Sequence, residues 1–261
     1  MGKIYTFNNK IITINNKWCE EYVEPVDPYN PLGLPANTIR VRTSDGNAPT
    51  KVANVTTYET ATLVSGTSDV YDVYKSGTYF NNLLAGSRNV IEVLGANTSN
   101  ISNMNNMLSY CNSLPSVPLF DTSSVTDMSW MFGECSLLTS VPLFDTSNVS
   151  IMNNMLYNCT SLTTVPLFDT NNVTNMRYML YYCSNLTTIP LFDTSSVTDM
   201  TSMFFGCKNV ESGALALYQQ ASSQANPPSS HSNTFKNCGS NTSTGAAELA
   251  QIPSSWGGTG A

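Results

Sequence analysis

From Ile101 to Val210, apolar side chains return every 24 residues, and the positions between them are mostly Ser, Thr, Asn and Asp. Met104, Met128, Met152, Met176 and Met200 form one column. Met107, Met131, Met155, Met179 and Met203 form a second, and Cys111, Cys135, Cys159, Cys183 and Cys207 a third. Pro118, Pro142, Pro166 and Pro190 keep the same interval, as do Phe120, Phe144, Phe168 and Phe192. Within one copy, Leu162, Val165, Leu167, Thr170 and Val173 read as a short strand followed by a turn. Met176, Met179 and Cys183 follow at the spacing of one inward helical face. The pattern predicts an α/β fold, a leucine-rich-repeat solenoid of about five copies in which each copy is a strand, a turn and a helical or 3₁₀ return.

Energetics explain the copying. A single copy offers inward side chains worth ~2 kcal/mol each when buried, whereas ordering each of its residues costs roughly 1–2 kcal/mol. One copy alone does not fold; neighbours that cover each other's apolar faces do. Proline in every strand removes a ladder donor, so the paired segment should be very short, centred on Val141 or Val165.

The flanks read differently. A weaker copy begins at Ala96, where ANTSNISNM overlays FDTSSVTDM, so the array is expected over 89–210. Beyond it, ESGALALYQQASSQ predicts a helix from about Glu211 to Gln224, and 211–261 reads as a degenerate copy with a helical C-terminal cap. Residues 37–88 form a β-rich N-terminal cap, with TIRVRTSDG and DVYDVYKSG as strands and TYFNNLLAG as a short helix. EPVDPYNPLGLP makes 24–36 a stiff Pro-rich linker. Residues 1–23 contain KIYTFNNKIITINNKW, a hairpin with an Asn-Asn turn. Such a hairpin is marginal alone, and it is expected to dock as an anchor through Ile4, Tyr5, Phe7, Ile11, Ile12, Ile14 and Trp18.

Composition narrows the function. Charged residues are 11% of the 261 and the net charge is −7. Phosphate-backbone binding needs clustered Lys and Arg, so nucleic acid is excluded as a partner. No run approaches the ~18 apolar residues of a membrane span. The N-terminus lacks the apolar core of a secretory signal, which predicts a chain made and kept in a cytoplasm or released by another route.

Candidate chemistry is concentrated in the FDT column. Asp121, Asp145, Asp169 and Asp193 would stand about 4.8 Å apart beside Phe120, Phe144, Phe168 and Phe192 if the copies stack. Seven acidic and two basic residues lie in 96–210. One reading is a binding stripe, or weak cation sites between carboxylates. The other is that each Asp caps its own turn while Phe packs on Phe. Stacked cysteines read as buried thiols, and no C-x-x-C spacing suggests a metal. His231, the single histidine, has no neighbouring catalytic constellation in sequence. The chain is therefore expected to be no enzyme and to carry no cofactor and no metal.

The phrase MSWMFGECSLLTSVPLFDTSNVSIM (128–152) and its neighbours over 90–210 resemble the BspA-like leucine-rich-repeat proteins, the subgroup also found among phage and prophage structural genes. The resemblance implies surface binding without catalysis. Bacterial surface members usually start with an export signal and this sequence does not. A virion protein, assembled in the host cytoplasm, needs none. The expectation is a virion-associated fibre or decoration protein that contacts other virion proteins through its N-terminal segment. Its array would be displayed to a host-surface protein or glycan, with homo-oligomerisation open. The alternative is a bacterial cell-surface adhesin.

Overall fold

The computed structural model describes residues 27–51 and 58–260, together with the backbone of 4–7 and 10–13. β1 (Ile4–Phe7) and β2 (Lys10–Thr13) pair antiparallel, with Ile4 opposite Thr13 and Phe7 opposite Lys10. The side chains of these strands, and Ile14 and Trp18 altogether, lie outside the described residues, so the anchor surface expected there is not in view.

The main sheet is open, four-stranded and antiparallel. It consists of β3 (Thr38–Thr43), β4 (Thr60–Leu63), β5 (Val70–Tyr74) and β6 (Val90–Asn97) in the order β4-β5-β3-β6. Alternation builds it: Ile39 and Val41 of β3 are fully buried, while the intervening Arg40 and Arg42 face the other side, as a period of two requires. Arg40 sits opposite Asp72 in the register and grips it with two bonds, Nε to Oδ1 at 2.6 Å and Nη2 to Oδ2 at 2.7 Å. Cross-strand pairs of this kind set register as much as stability. β6 belongs to this sheet, although the sequence assigned residues from 89 onward to the array. Part of the expected linker is also fastened here. Leu34 is buried, its N–H donates to Asn30 Oδ1 at 2.8 Å, and its carbonyl accepts from Asn97 Nδ2 at 2.8 Å.

The α/β leucine-rich-repeat solenoid is not what the chain builds. Regular structure is mostly strand, and from Thr98 to Glu211 there is neither strand nor helix, only turns and single bridges. The expected helix at TYFNNLLAG is likewise a run of turns. The reason lies in the backbone. The 3-3-4 spacing of inward Met and Cys mimics a helical face, but two residues per copy take the left-handed conformation, such as Asn154 (φ 59°) and Asn158 (φ 54°), or Tyr178 and Tyr182 (both φ 56°). A helix of L-residues does not pass through such angles. Nor does the proline segment pair as a strand: the Phe168 N–H turns back to the Pro166 carbonyl at 3.0 Å.

Amides freed from helix and strand bond across to the adjacent copy. Met128, Trp130, Phe132 and Glu134 donate to the carbonyls of Ile151, Asn153, Met155 and Tyr157 at 2.6–3.1 Å, and Ser150 and Thr163 donate back to Thr126 and Thr139. The same set recurs copy after copy, with single parallel bridges linking Tyr79, Asn103, Asp127, Ile151, Asn175 and Asp199 in turn. Buried carbonyls and amides are thereby satisfied without regular secondary structure. The Met, Cys and Phe columns lie inside, and each column thiol donates to a carbonyl 27 residues earlier, for example Cys159 Sγ to Phe132 at 3.2 Å.

Two short helices close the C-terminal end. α1 (Ala214–Ser222) lies within the span predicted as helical, and α2 (Ser243–Leu249) packs beside it. The Glu248 carboxylate of α2 accepts the Leu215 N–H at 3.0 Å at the start of α1, where an acid complements unpaired helix donors. Gly245 has to be glycine: a Cβ there would stand 2.2 Å from the Val210 carbonyl oxygen.

Candidate functional site

The FDT column separates into two unlike sets. Phe120, Phe144, Phe168 and Phe192 are at most 2% exposed, and Phe120 stacks on Phe144 with centroids 5.8 Å apart and planes at 3°. They are core, so the aromatic half of the expected binding stripe is not on the surface. The rings turn inward because the apolar interior between copies is the larger gain for so large a side chain.

Asp121, Asp145, Asp169 and Asp193 are at least partly exposed, but each spends one carboxylate oxygen on its own turn. Oδ1 accepts the N–H of Ser123, Ser147, Asn171 and Ser195 respectively, at 2.8–3.1 Å. These are Asx turns. The Ser147 hydroxyl and N–H hold the Asp145 carboxyl below the ordinary carboxylate range, and the Ser195 N–H and hydroxyl do the same for Asp193. Their backbone carbonyls are also fixed, since Thr122, Thr146 and Thr170 hydroxyls donate to Asp145, Asp169 and Asp193 at 2.7 Å. The column is a turn-forming device.

A second aromatic set, which the sequence reading missed, does reach the surface. Tyr157 stacks on Tyr181 (4.9 Å, 7°) and Tyr181 on Phe205 (5.0 Å, 22°), while Trp130 leans on Tyr157 at 5.1 Å. All four rings are half-buried. The equivalent position in the Trp130 copy is Gly133, where a Cβ would meet the indole at 2.5 Å, so the indole takes the place of that copy's own ring. Tyr178 and Tyr182 pack edge-on against Tyr181 at 5.3 and 4.6 Å, and the Arg177 guanidinium lies 4.7 Å over Tyr178. Burial, followed by neighbouring phenols, pushes the Tyr157 and Tyr181 hydroxyls up. The ladder therefore shows neutral phenol edges at any physiological pH.

Some of these rings, Trp130, Tyr178 and Tyr182, sit on a costly backbone. Trp130 (φ 57°) and Tyr178 (φ 56°) occupy a left-handed column filled by Asn106 and Asn154 in other copies; Tyr110 (φ 59°) and Tyr182 (φ 56°) share another with Asn158 and Gly206. A bulky residue there costs ~1–2 kcal/mol, and an aromatic pair returns about 0.5–1.5 kcal/mol. The fold gains little from the exchange. The signal was present as Tyr157, Tyr181 and Phe205 at intervals of 24, masked because Ser109 and Gly133 begin the column.

His231 stacks on Trp256 at 4.1 Å and 8°. Among the described residues no group of three His, Cys, Asp or Glu side chains could hold a metal ion, and no helix is long and apolar enough to cross a membrane.

A family model described as Mycoplasma protein of unknown function, DUF285, matches residues 78–185 and again 163–238, together more than half of the chain. The match supports a BspA-related protein, without bearing on leucine-rich repeats or on phage origin. Neither a curated protein nor a solved structure matches.

Proposed function

The chain belongs to the family described as Mycoplasma protein of unknown function, DUF285, and on that premise we propose a non-enzymatic adhesion role, exercised as a virion-associated fibre or decoration protein. The observation that carries the adhesion role is the surface ladder of Trp130, Tyr157, Tyr181 and Phe205 with its flanking Tyr178 and Tyr182. Aromatic and Arg side chains on a rigid frame are the residue types that dominate binding energies at interfaces, and three of them, Trp130, Tyr178 and Tyr182, are kept at left-handed positions where Asn or Gly would be cheaper. The virion setting rests on the resemblance of the copies to phage structural types. In this role β1 and β2 attach the chain to other virion proteins and the turn copies face outward.

Proteomics on purified virions of the source phage, with a version lacking residues 1–35 tested in parallel, decides the setting. The full chain in particles and the shortened one absent supports an anchoring hairpin; absence of both overturns the virion role. The family description names a cellular bacterium, which favours a second reading as a bacterial cell-surface adhesin. Labelling of intact cells by antibody against the chain would support that reading. Loss of host-surface binding on replacing Tyr157 and Tyr181 with Ser, in a variant that still melts cooperatively, is the result expected under either.

A further inference from the structure

The first turns of the array form an open groove of about 410 Å³, lined by Tyr79, Asn81, Asn103, Asn105 and Asp127. That volume falls within the range of small-molecule sites. The lining holds one ring, three amides and one carboxylate, and neither Lys nor Arg.

Its polar groups are held in place from behind. Lys75 Nζ donates to Asn81 Oδ1 at 3.0 Å, which leaves the Asn81 Nδ2 without a partner among the described residues. Asn103 Oδ1 accepts the Asn105 N–H at 2.9 Å, and its Nδ2 gives one hydrogen to Asp127 Oδ2 at 3.1 Å. Asp127 Oδ1 accepts the Ser129 N–H at 2.8 Å and the Ser129 hydroxyl. Asn105 Nδ2 is spent on the Ser129 carbonyl and hydroxyl. The groups left over include two N–H groups on Asn81, one on Asn103, a lone pair on Asp127 Oδ2, one further lone pair on each of the Asn81, Asn103 and Asn105 Oδ1 atoms, and the Tyr79 hydroxyl. Donors and an acceptor fixed side by side complement neighbouring hydroxyls, each of which gives one hydrogen bond and takes another.

Tyr79 completes the set. It is 58% exposed and, unlike the ladder rings, stacks on no other aromatic ring among the described residues. Its open face suits the C–H face of a sugar ring, while Asp127 disfavours an anionic ligand. We infer that this groove binds a neutral pyranose unit of a surface glycan, with Tyr79 against the C–H face and Asn81, Asn103 and Asp127 on adjacent hydroxyls. The inference deepens the adhesion reading and rests on it for its biological setting.

The test is saturation-transfer NMR and calorimetry on the full chain with cellotriose, maltotriose, chitotriose and β1,4-galactotriose at millimolar concentration. At least one should bind, and Tyr79→Ala and Asp127→Asn should each weaken it by about tenfold, while Leu167→Ser, an exposed position outside the groove lining and the ladder, leaves it unchanged. Thermal melts of the variants exclude misfolding. No binding to any of the four overturns the inference, as does binding that both groove variants retain. Adhesion to host surfaces that survives periodate oxidation of their sugars sinks the groove's role and leaves the adhesion reading standing. Sugar binding without adhesion does the reverse.

Discussion

Lys75 Nζ donates to the carbonyl oxygen of Asn81 at 2.5 Å. Farther along, the equivalent carbonyl of Asn105 accepts from the Asn82 N–H, and that of Ser129 from the Asn106 N–H. Asn81 belongs to the first set of turns, with no earlier copy to supply its donor. Lys75, a residue only 8% exposed whose ammonium has its pKa lowered by burial, takes over that bond. Lys75→Met should strand the carbonyl and cost about 1–3 kcal/mol, read as a lower urea midpoint. An unchanged midpoint would show that the carbonyl finds another donor.

The column thiols should be inert and should set an alkaline limit on stability. Burial pushes Cys135 and Cys183 up to about 12, from an ordinary 9.0, and raises Cys111, Cys159 and Cys207 in the same direction. The folded thiols stay protonated while unfolded ones ionise, so stability is full below about pH 9 and falls as pH climbs toward 12. Each thiol contributes a slope of about 1.4 kcal/mol per pH unit. Melting temperatures from pH 7 to 11 check the slope. Ellman's reagent should leave these thiols unmodified until denaturant is added.

The two halves of the FDT column should respond very unequally. Phe168→Ala removes a buried stacked ring and should cost ~3–5 kcal/mol. Asp145→Ala loses only the two bonds from the Ser147 N–H and hydroxyl, at an exposed turn, and its loss should be small by comparison. Since the folded Asp145 and Asp193 carboxyls are held low, their contribution is present above the ordinary carboxylate range and disappears as pH falls through the folded values. Millimolar calcium should leave the melting temperature where it is; a rise would revive the cation reading of the column.

Left-handed positions offer a stabilising substitution. Ser202 has φ 53°, and its side chain makes no hydrogen bond among the described residues. Ser202→Gly should stabilise by ~0.5–1 kcal/mol, the left-handed cost less the entropy of glycine. Ser202→Val, β-branched at the same angle, should destabilise by ~1–3 kcal/mol. Chemical denaturation of the pair measures both signs; stabilisation by Val would contradict the backbone assignment.

Core membership was legible from the 24-residue interval alone, because burial repeats with the copy: Met152, Met155, Cys159 and Phe168 are all inside. Bonding was not. Met176, Met179 and Cys183 satisfy a helical spacing, and nothing in side-chain pattern separates i−4 bonding from bonding to the next copy. The clue was steric and easily discounted: Asn recurs at 106, 154 and 158, the residue most tolerant of the left-handed region after glycine. Reading the same columns at Trp130, Tyr178 and Tyr182 as exceptions would have pointed to the ladder. The groove was illegible for another reason, since Tyr79, Asn103 and Asp127 meet only through the bridges between copies.

The direction of those inter-copy bonds has an electrical consequence. Per junction, four amides point toward the following copy and two toward the preceding one. Peptide dipoles in a flat sheet largely cancel; here the surplus adds from copy to copy, as it does along a helix. The end begun by Asn81, whose carbonyl is met by Lys75 rather than by an earlier copy, is partially negative, and the end near Lys236 is partially positive. The ammonium of Lys75 lies at the negative end, so the turns amount to a macrodipole with its counter-charge already in place.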